Sequence, residues 1–345
     1  MRGINAHLEI VELACGLGLD PRGDTVGSIV DHCRRQVESW AAQEGEVRSI
    51  GDLERVLCRR LNLVVEEVWT DGDLAETAAR YTAEGDAVFA SLWEGFDEST
   101  FATLIRRRQP DPEGRERYAA VIDCRGPKGA RRFFSRWHEI AHLLTLPPTI
   151  VSPVHRSTSA ATPTERLMDL IAGEVGFYDP IFGPLLTSEL GPDGRLTFGT
   201  VDRVRAQFSP EASWRATLSA CVQRVKTPVL LIEAGFGYTK REEEAFELEP
   251  VPGRRPAACL RVLRTVRNEA ARRVALHIPA RMRVPEDLCL HGLFFTGDGS
   301  NRSETEGVED LGGWQHSNGT RLASRKVFVQ GRLAGTFVQA LVMPA

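Results

Sequence analysis

The sequence predicts an α+β protein, because helical and strand-like segments alternate through its first two thirds and short strand-like runs fill the rest. Apolar residues at helical spacing are clearest at 131–146. Apolar runs such as LVVEEVW at 63–69 are typical of strands. After about residue 228, runs of this second kind follow one another between turn residues. We therefore expect a mixed first part and a strand-rich last part.

Each element of the first part follows from its local pattern. Apolar residues at helical spacing predict helices at 25–40, 53–61, 73–84, 131–146 and 164–177, and two helical pieces within 200–226. Short apolar and β-branched runs predict strands at 63–69, 87–93 and 118–124. Asp24 is placed to cap the first helix, and Pro147 stops the helix at 131–146.

The last part is predicted from its apolar runs alone. Strand-like runs lie at 228–236, 257–266, 274–284, 288–297 and 336–344. The change of pattern divides the chain into three regions, which are 1–185, 186–227 and 228–345. The middle region is predicted to be helical and the last to be a mixed, strand-rich domain.

Composition narrows the class of protein. The 345 residues are enough for two or three hydrophobic cores, and 47 acidic against 43 basic residues give a net charge of −4. Such a chain has no global positive field to attract nucleic acid or membrane. No apolar run approaches the roughly 18 residues of a membrane span, and no export signal is recognisable at the N-terminus. The seven scattered cysteines form no CxxC pair. We expect a soluble, cytoplasmic protein with reduced thiols and no membrane partner.

The helix at 131–146 carries the motif HExxH, as His138-Glu139-Ile140-Ala141-His142. Histidines four residues apart lie on one helical face, where both imidazoles can bind the same Zn²⁺. Ile140 belongs to the core stripe, so the metal face is expected to look away from the core towards a cleft. Glu139 flanks that face as a candidate general base, placed to take a proton from the attacking water.

A catalytic zinc site needs a third protein ligand. Glu165 follows His142 after 22 intervening residues, at the start of the next predicted helix. Asp169 lies four residues further along the same face, where it is placed to accept the free ring N–H of a zinc-bound histidine. The resulting pattern is HExxH-x22-ExxxD, the arrangement of zincins that use glutamate as third ligand. Glu174 and His155 are rival third ligands.

These two segments resemble those of the ImmA/IrrE family of metallopeptidases. RRFFSRWHEIAHLLTL is similar to the family's active-site helix, which typically reads close to RRFTLAHELGHLLL. ERLMDLIAGEV is similar to its second-helix signature, near EREANRFAAELLMP, with Glu165, Asp169, Ala172 and Glu174 at corresponding positions. Leu167 replaces an acidic residue, and GFYDP replaces the usual LLMP ending. The resemblance covers roughly 25–226.

The resemblance implies a fold for each region. A zincin-like minimal metallopeptidase core of helices and a small mixed sheet is expected at 1–185, with 118–124 as the edge strand beside the cleft. A helical module similar to a helix-turn-helix (HTH) domain is expected at 186–227. The region 228–345 is expected to be a sensor-like α/β domain resembling a GAF fold.

The resemblance also implies a function. Family members cleave a helix-turn-helix repressor at a specific site and so release stress, DNA-damage-response or phage-defence genes. We therefore expect a zinc-dependent endopeptidase in which His138, His142 and Glu165 bind Zn²⁺, or Mn²⁺ in its place. Glu139 is expected to be catalytic and Asp169 to orient His138. The partner is expected to be the repressor, added as an extended strand beside 118–124.

Three further features bear on regulation and partners. Cys124 ends the strand expected beside the cleft, and its thiolate is a candidate inhibitory ligand for the metal. Tyr178 and His155 are candidate oxyanion partners. The stretch 106–136 carries ten basic residues against four acids, and 254–283 carries nine arginines against Glu269 alone. DNA or a small ligand is a possible activator at 254–283, although such runs are more often solvated, charge-balanced faces.

Two alternatives stay open at this point. The chain is a DNA-binding regulator without proteolytic turnover if the module at 186–227 carries the function. It is the protease toxin of a toxin–antitoxin pair if the peptide it cuts belongs to another cellular protein. The presence of Glu139 favours an enzyme, because a purely structural zinc ion needs no general base.

Overall fold

A computed structural model of the chain describes residues 7–109, 116–145, 154–158, 162–248, 258–296, 303–316 and 318–345. They form two compact units. The first contains the residues up to Leu185 together with Arg205–Ala216, and the second contains Leu186–Val204 and Thr217–Ala345. Each unit combines helices with one sheet, which confirms the mixed α+β class. The region predicted as a separate helical module, 186–227, is thus divided between the two units.

The elements of the first region are mostly helices around a small sheet. The helices are α1 (Leu8–Gly16), α2 (Thr25–Gln43), α3 (Ile50–Leu61), α4 (Asp71–Ala83), α5 (Leu92–Gly95), α6 (Arg132–Thr145) and α7 (Pro163–Gly176). The strands are β1 (Leu63–Val68), β2 (Thr100–Arg106), β3 (Tyr118–Asp123) and β4 (Val154–Thr158). Short 3₁₀ helices lie at Ala87–Ser91 and Gly126–Arg131. Three further helices follow in the chain, namely α8 (Asp179–Glu189), α9 (Phe198–Phe208) and α10 (Trp214–Arg224).

The first sheet has the strand order β1-β3-β2-β4. β3 pairs with β1 in parallel and with β2 antiparallel, so both of its edges are occupied. The expectation that 118–124 forms an edge strand is therefore wrong. The apolar run at 118–124 reflects this interior position, because a strand with a neighbour on each side and helices above it is buried throughout. The outer strands of the described sheet are β1 and β4.

Helix α6 is buried on nearly every side. Its predicted stripe lies in the core, with Phe133, Trp137 and Ile140 at most 2% exposed. His138 and Glu139 are buried as well, at 7% and 0% exposure. The metal face does not open straight into a cleft as expected, because α7 packs along α6 and covers it. A helix that packs on two sides cannot keep the polar outer face of a surface helix.

The contact between α6 and α7 depends on one glycine. A Cβ atom on Gly176, the last residue of α7, would lie 2.7 Å from Cγ of Trp137. Only glycine lets the end of α7 approach the indole ring so closely. Thr145 Oγ1 also donates to Sδ of Met168 at 3.4 Å, so the two helices touch at both ends.

The second unit is built on an antiparallel sheet of five strands. They are β5 (Leu230–Gly237), β6 (Cys259–Arg267), β7 (Glu304–Asp310), β8 (Lys326–Ala334) and β9 (Phe337–Pro344), in the order β6-β5-β9-β8-β7. The remaining helices are α11 (Lys240–Leu248), α12 (Glu269–Arg273) and α13 (Cys289–Thr296), with a 3₁₀ turn at Leu311–Gly313. One face of the sheet packs against α13 and the chain at 276–288. Among the described residues of 228–345, strands hold more residues than helices, although β7 and β8 lie outside the apolar runs that predicted strands.

Three predicted strands are wrong. The run at 87–93 forms a 3₁₀ turn and α5, and the run at 288–297 forms α13. Both are too short for periodicity to separate a strand from a helix, and their buried residues are spaced by three, as Leu290 and Leu293 illustrate. The run at 274–284 lies against the second sheet with a single isolated bridge. Alternating apolar residues bury its inner face, yet among the described residues it joins no ladder.

No helix within the described ranges combines the length and the apolarity needed to span a bilayer.

Replacing Gly176 by alanine should destabilise the first unit. The new methyl group would overlap the indole of Trp137, and overpacking of this kind costs about 1–3 kcal/mol. The midpoint and the slope of the urea unfolding curve give the free energy of unfolding. Gly173→Ala is the matched control, because a Cβ there meets nothing within 4 Å and α7 should gain up to about 1 kcal/mol of helix propensity. Equal stability of the two variants would contradict this packing.

Candidate metal centre

The two histidines of HExxH project from one face of α6. Their ring centroids are 4.9 Å apart, and the two Nε2 atoms are separated by 3.2 Å. One helical turn separates His138 from His142, so their side chains point the same way. The bulky residues of the opposite stripe hold α6 against the sheet and fix the direction of this face.

Helix α7 brings two carboxylates to these histidines. Thr162 caps α7, its Oγ1 accepting from the backbone N–H of Glu165 at 3.2 Å, and Pro163 occupies the first turn. The cap places Glu165 in the first turn with its side chain largely covered, at 13% exposure. Asp169 follows one turn later on the same face, at 53% exposure.

The three predicted ligands form one group. His138, His142 and Glu165 each offer a ligand atom, and these atoms lie within 4.8 Å of one another. Nε2 of His138 is 3.0 Å from Oε2 of Glu165, and Nε2 of His142 is 3.5 Å from Oε1. Ligands at the corners of a zinc tetrahedron lie about 3.3–3.5 Å apart. The spacing and the donor types fit a divalent cation, and this group can hold a metal ion.

The charges around His138 favour a cation. Nδ1 of His138 donates to Oδ1 of Asp169 at 3.0 Å, which leaves Nε2 directed at Glu165 and His142. Burial lowers the pKa of His138, but the hydrogen bonds to Asp169 and Glu165 and the nearby Glu139 raise it more, to about 10. Positive charge is therefore stabilised at this position. A metal ion would compete with a proton for Nε2, so its binding releases that proton.

Glu139 is completely buried next to this group. Its side chain follows His138 on α6 and has 0% exposure. A carboxylate is costly to bury unless nearby charges and hydrogen bonds stabilise it. Its charge acts on His138, so the two side chains are within electrostatic reach of each other. The role of Glu139 as general base stays a prediction.

Cys124 is not part of the group. It follows β3 directly, and its backbone N–H donates to the carbonyl of Val68 at 2.8 Å. Burial raises the pKa of its thiol to about 12, and the charges that act on it belong to Glu67, Arg132, Asp123 and Arg136. The structure therefore does not bring the predicted inhibitory thiol to the three ligand atoms.

The rival residues are placed elsewhere. Glu174 and Tyr178 line a small pocket with Glu38 and Asp179, and neither belongs to the ligand group found among the described residues. The backbone of His155, in β4, pairs with Leu104 of β2, while its side chain lies outside the described part of the chain. Burial raises the pKa of Tyr178. Of the candidate third ligands whose side chains are described, Glu165 belongs to the group that could hold a metal ion and Glu174 does not.

Ion pairs neutralise part of the two basic stretches. In 106–136, Arg107 pairs with Asp86, Glu84 and Glu116. Arg125 and Lys128 both pair with Asp123. Six arginines of 254–283 form ion pairs, namely Arg261, Arg264, Arg272, Arg273, Arg281 and Arg283. Activation by DNA or a small ligand at 254–283 stays a prediction.

Two residues that the sequence motifs did not indicate contact each other. The guanidinium carbon of Arg131 lies 3.9 Å from the ring centroid of Phe101. The charge of Asp169 also acts on Arg131. Arg131 ends the 3₁₀ helix that runs directly into α6, so its position depends on this junction and not on the helical spacing of the motif.

Fold and site together define a class: an α+β protein with a candidate His-His-Glu metal centre on two packed helices. Comparison with protein-family models finds no match, and comparison with curated proteins finds no significant match.

The purified chain should bind about one divalent cation in this group. Metal analysis after incubation with Zn²⁺ and desalting should find it in the wild type and lose it in His138→Ala and Glu165→Ala. Asp169→Asn should weaken binding by about 10- to 100-fold, because it replaces the charged acceptor that orients His138 by a neutral amide. Glu174→Gln is the control, because it neutralises another carboxylate of α7 outside the ligand group, and it should bind the metal normally. A wild-type protein without metal would contradict the assignment.

Proposed function

We propose that the chain is a zinc-dependent endopeptidase, similar to the ImmA/IrrE family, that cleaves a helix-turn-helix repressor at a specific site. The observation that carries the proposal is the convergence of His138, His142 and Glu165 beside a buried Glu139. Two imidazoles and one carboxylate are the protein ligands of many catalytic zinc sites. Three protein ligands leave a tetrahedral ion one position for water or substrate.

The donor set supports Zn²⁺ as the metal, with Mn²⁺ able to take its place. Imidazole nitrogen suits zinc, whereas Ca²⁺ and Mg²⁺ prefer oxygen ligands throughout. The hydrogen bond from His138 to Asp169 is the outer contact that such histidines usually make. It fixes the ring tautomer, so that Nε2 keeps its lone pair for the metal.

A metal ion held by His138, His142 and Glu165 would supply Lewis-acid chemistry, which polarises a scissile carbonyl and makes water a better nucleophile. Glu139 takes the proton of the attacking water and delivers it to the leaving amine. The negative charge of Glu139 is held in a buried, low-dielectric position, where a proton transfer is strongly coupled to the charges of the site. Asp169 keeps the imidazole of His138 oriented throughout.

The route of substrate entry differs from the expected one. A peptide cannot add to 118–124 as an extra strand, since β1 and β2 already occupy both edges of β3. An extended substrate that pairs with the described sheet must use an outer strand, β1 or β4. The site-specificity proposed for the enzyme therefore needs side-chain contacts close to the metal centre.

One observation favours this function over a DNA-binding regulator without turnover. A buried carboxylate next to the candidate ligands suits a general base, whereas a structural metal site needs none. A protease toxin would use the same chemistry, so the identity of the cleaved protein distinguishes the two roles. A cytoplasmic location follows from a repressor substrate.

The test is cleavage of a helix-turn-helix repressor, and a repressor encoded by an adjacent gene would be the first to try. Wild-type protein with Zn²⁺ or Mn²⁺ should cut it at one site, seen by gel and by the masses of the fragments. Glu139→Gln should bind the metal normally and lower kcat by about 10²–10⁴-fold, the usual contribution of a general base.

Glu174→Gln is the matched control, because it makes the same chemical change outside the ligand group. It should cut at the wild-type rate. Full activity of Glu139→Gln would refute the proposed base. If the repressor stays intact while other cellular proteins are cut, the toxin role is supported.

A further inference from the structure

A groove of about 640 Å³ lies in the first unit. Its apolar wall is formed by Phe96, Phe101 and Pro127, and its charged wall includes Lys128, Glu98 and Arg131. The groove combines aromatic rings with charges at its margin, which is the make-up of a site for a peptide side chain.

Phe101 faces the groove from an irregular position in β2. Thr100 pairs with Thr158 and Ala102 pairs with Ser157, so the register shifts at Phe101 and leaves this residue without a partner on β4. A bulge of this kind turns a side chain away from the regular alternation, and bulges are frequent beside active sites. The ring of Phe101 supports the guanidinium of Arg131 at 3.9 Å.

Most charges of the groove are already used within the protein. Both oxygens of Asp123 accept from Arg125, and one also accepts from Lys128. Hydrogen bonds from Ser99 and Thr100 lower the pKa of Asp97 to about 2. Among the described residues, no carboxylate lies within ion-pair distance of Arg131. Its planar guanidinium, flat on Phe101, keeps its edge available for a carboxylate.

Arg131 of the groove lies close in sequence to the candidate ligands. It ends the 3₁₀ helix that runs directly into α6 and precedes His138 by seven residues, which is about 10 Å along a helical backbone. Three residues of an extended peptide span about the same distance. Asp169 accepts a hydrogen bond from His138 at 3.0 Å, and its charge acts on Arg131. A peptide cleaved at the metal would thus reach Arg131 with a residue about three positions from the cut.

We propose that this groove, the Arg131 groove, selects substrates with an acidic residue about three positions from the cleaved bond, next to an apolar residue. The carboxylate pairs with Arg131, and the apolar side chain packs on Phe101 and Pro127. The inference rests on the proposed peptidase function and adds a specificity residue to it. Arg131 acts in binding and takes no part in the chemical step.

The experiment uses a random peptide pool and a matched pair of peptides. Fragments of the pool cut by wild-type protein with Zn²⁺ should be enriched in Glu or Asp about three positions from the cut. From an enriched sequence, two peptides are made that differ only in Glu or Gln at that position. Wild type should prefer the Glu peptide by about tenfold in kcat/KM, the size of one partly desolvated charge pair, mainly through KM.

Charge changes at position 131 should change this preference. Arg131→Gln should abolish it, and Arg131→Glu should reverse it in favour of a Lys peptide. A glutamate just before α6 is compatible with the helix N-terminus, so the variant should fold and keep its metal. Arg22→Glu is the control, since Arg22 is 90% exposed and does not line the groove. It should leave the preference unchanged.

The outcomes separate this proposal from the proposed function. Cleavage without any acidic preference, or a preference unaffected by Arg131→Gln, overturns the groove and leaves the peptidase intact. A preference for basic residues would point to Glu98 and also overturn it. If wild type cuts nothing, capture of the same pool by Glu139→Gln decides: enrichment of acidic peptides that Arg131→Gln removes supports the groove, and no enrichment overturns it.

Discussion

The packing of α7 against α6 is the constraint on which the candidate site depends. HExxH supplies two candidate ligands on α6, so a third must come from another element. Helix α7 supplies it, and α7 packs this closely on α6 because Gly176 lets its end touch Trp137. The same contact fixes the height of Glu165 and Asp169 against the two histidines. Since the helices are rigid over these turns, one close approach in the core sets the distances at the metal centre.

Many charged side chains around the contact between α6 and α7 are paired with a group of opposite charge. Acidic groups surround the imidazoles and raise the pKa of His138, so the site favours a positive charge. On the other side of α6, Arg136 interacts with Glu54, Glu67 and Glu211 and ties the helix to its neighbours. Arg107 has a similar role, buried among three carboxylates. Arg131 differs from these paired arginines, because its guanidinium contacts the ring of Phe101 instead of a carboxylate.

Sequence patterns predicted well the elements that carry their own periodicity. The helices around His138 and Glu165 begin and end within two residues of the predicted bounds, because each is long and ended by proline, a cap or a tight turn. Short apolar runs were ambiguous: 63–69 is a strand, while 288–297 is a helix. Strand order was also beyond the pattern, since the run at 118–124 gives no sign of how many neighbours it has.

The sequence by itself determined the α+β class and the helix with its two histidines, and it limited the third ligand to a few candidates. These follow from local spacing, because residues one helical turn apart must share a face. Only the tertiary structure decided which carboxylate approaches the imidazoles, that Cys124 lies apart from them, and that a bulge turns Phe101 under Arg131. Such distances join residues far apart in the chain, and they depend on how whole elements pack, which no local pattern encodes.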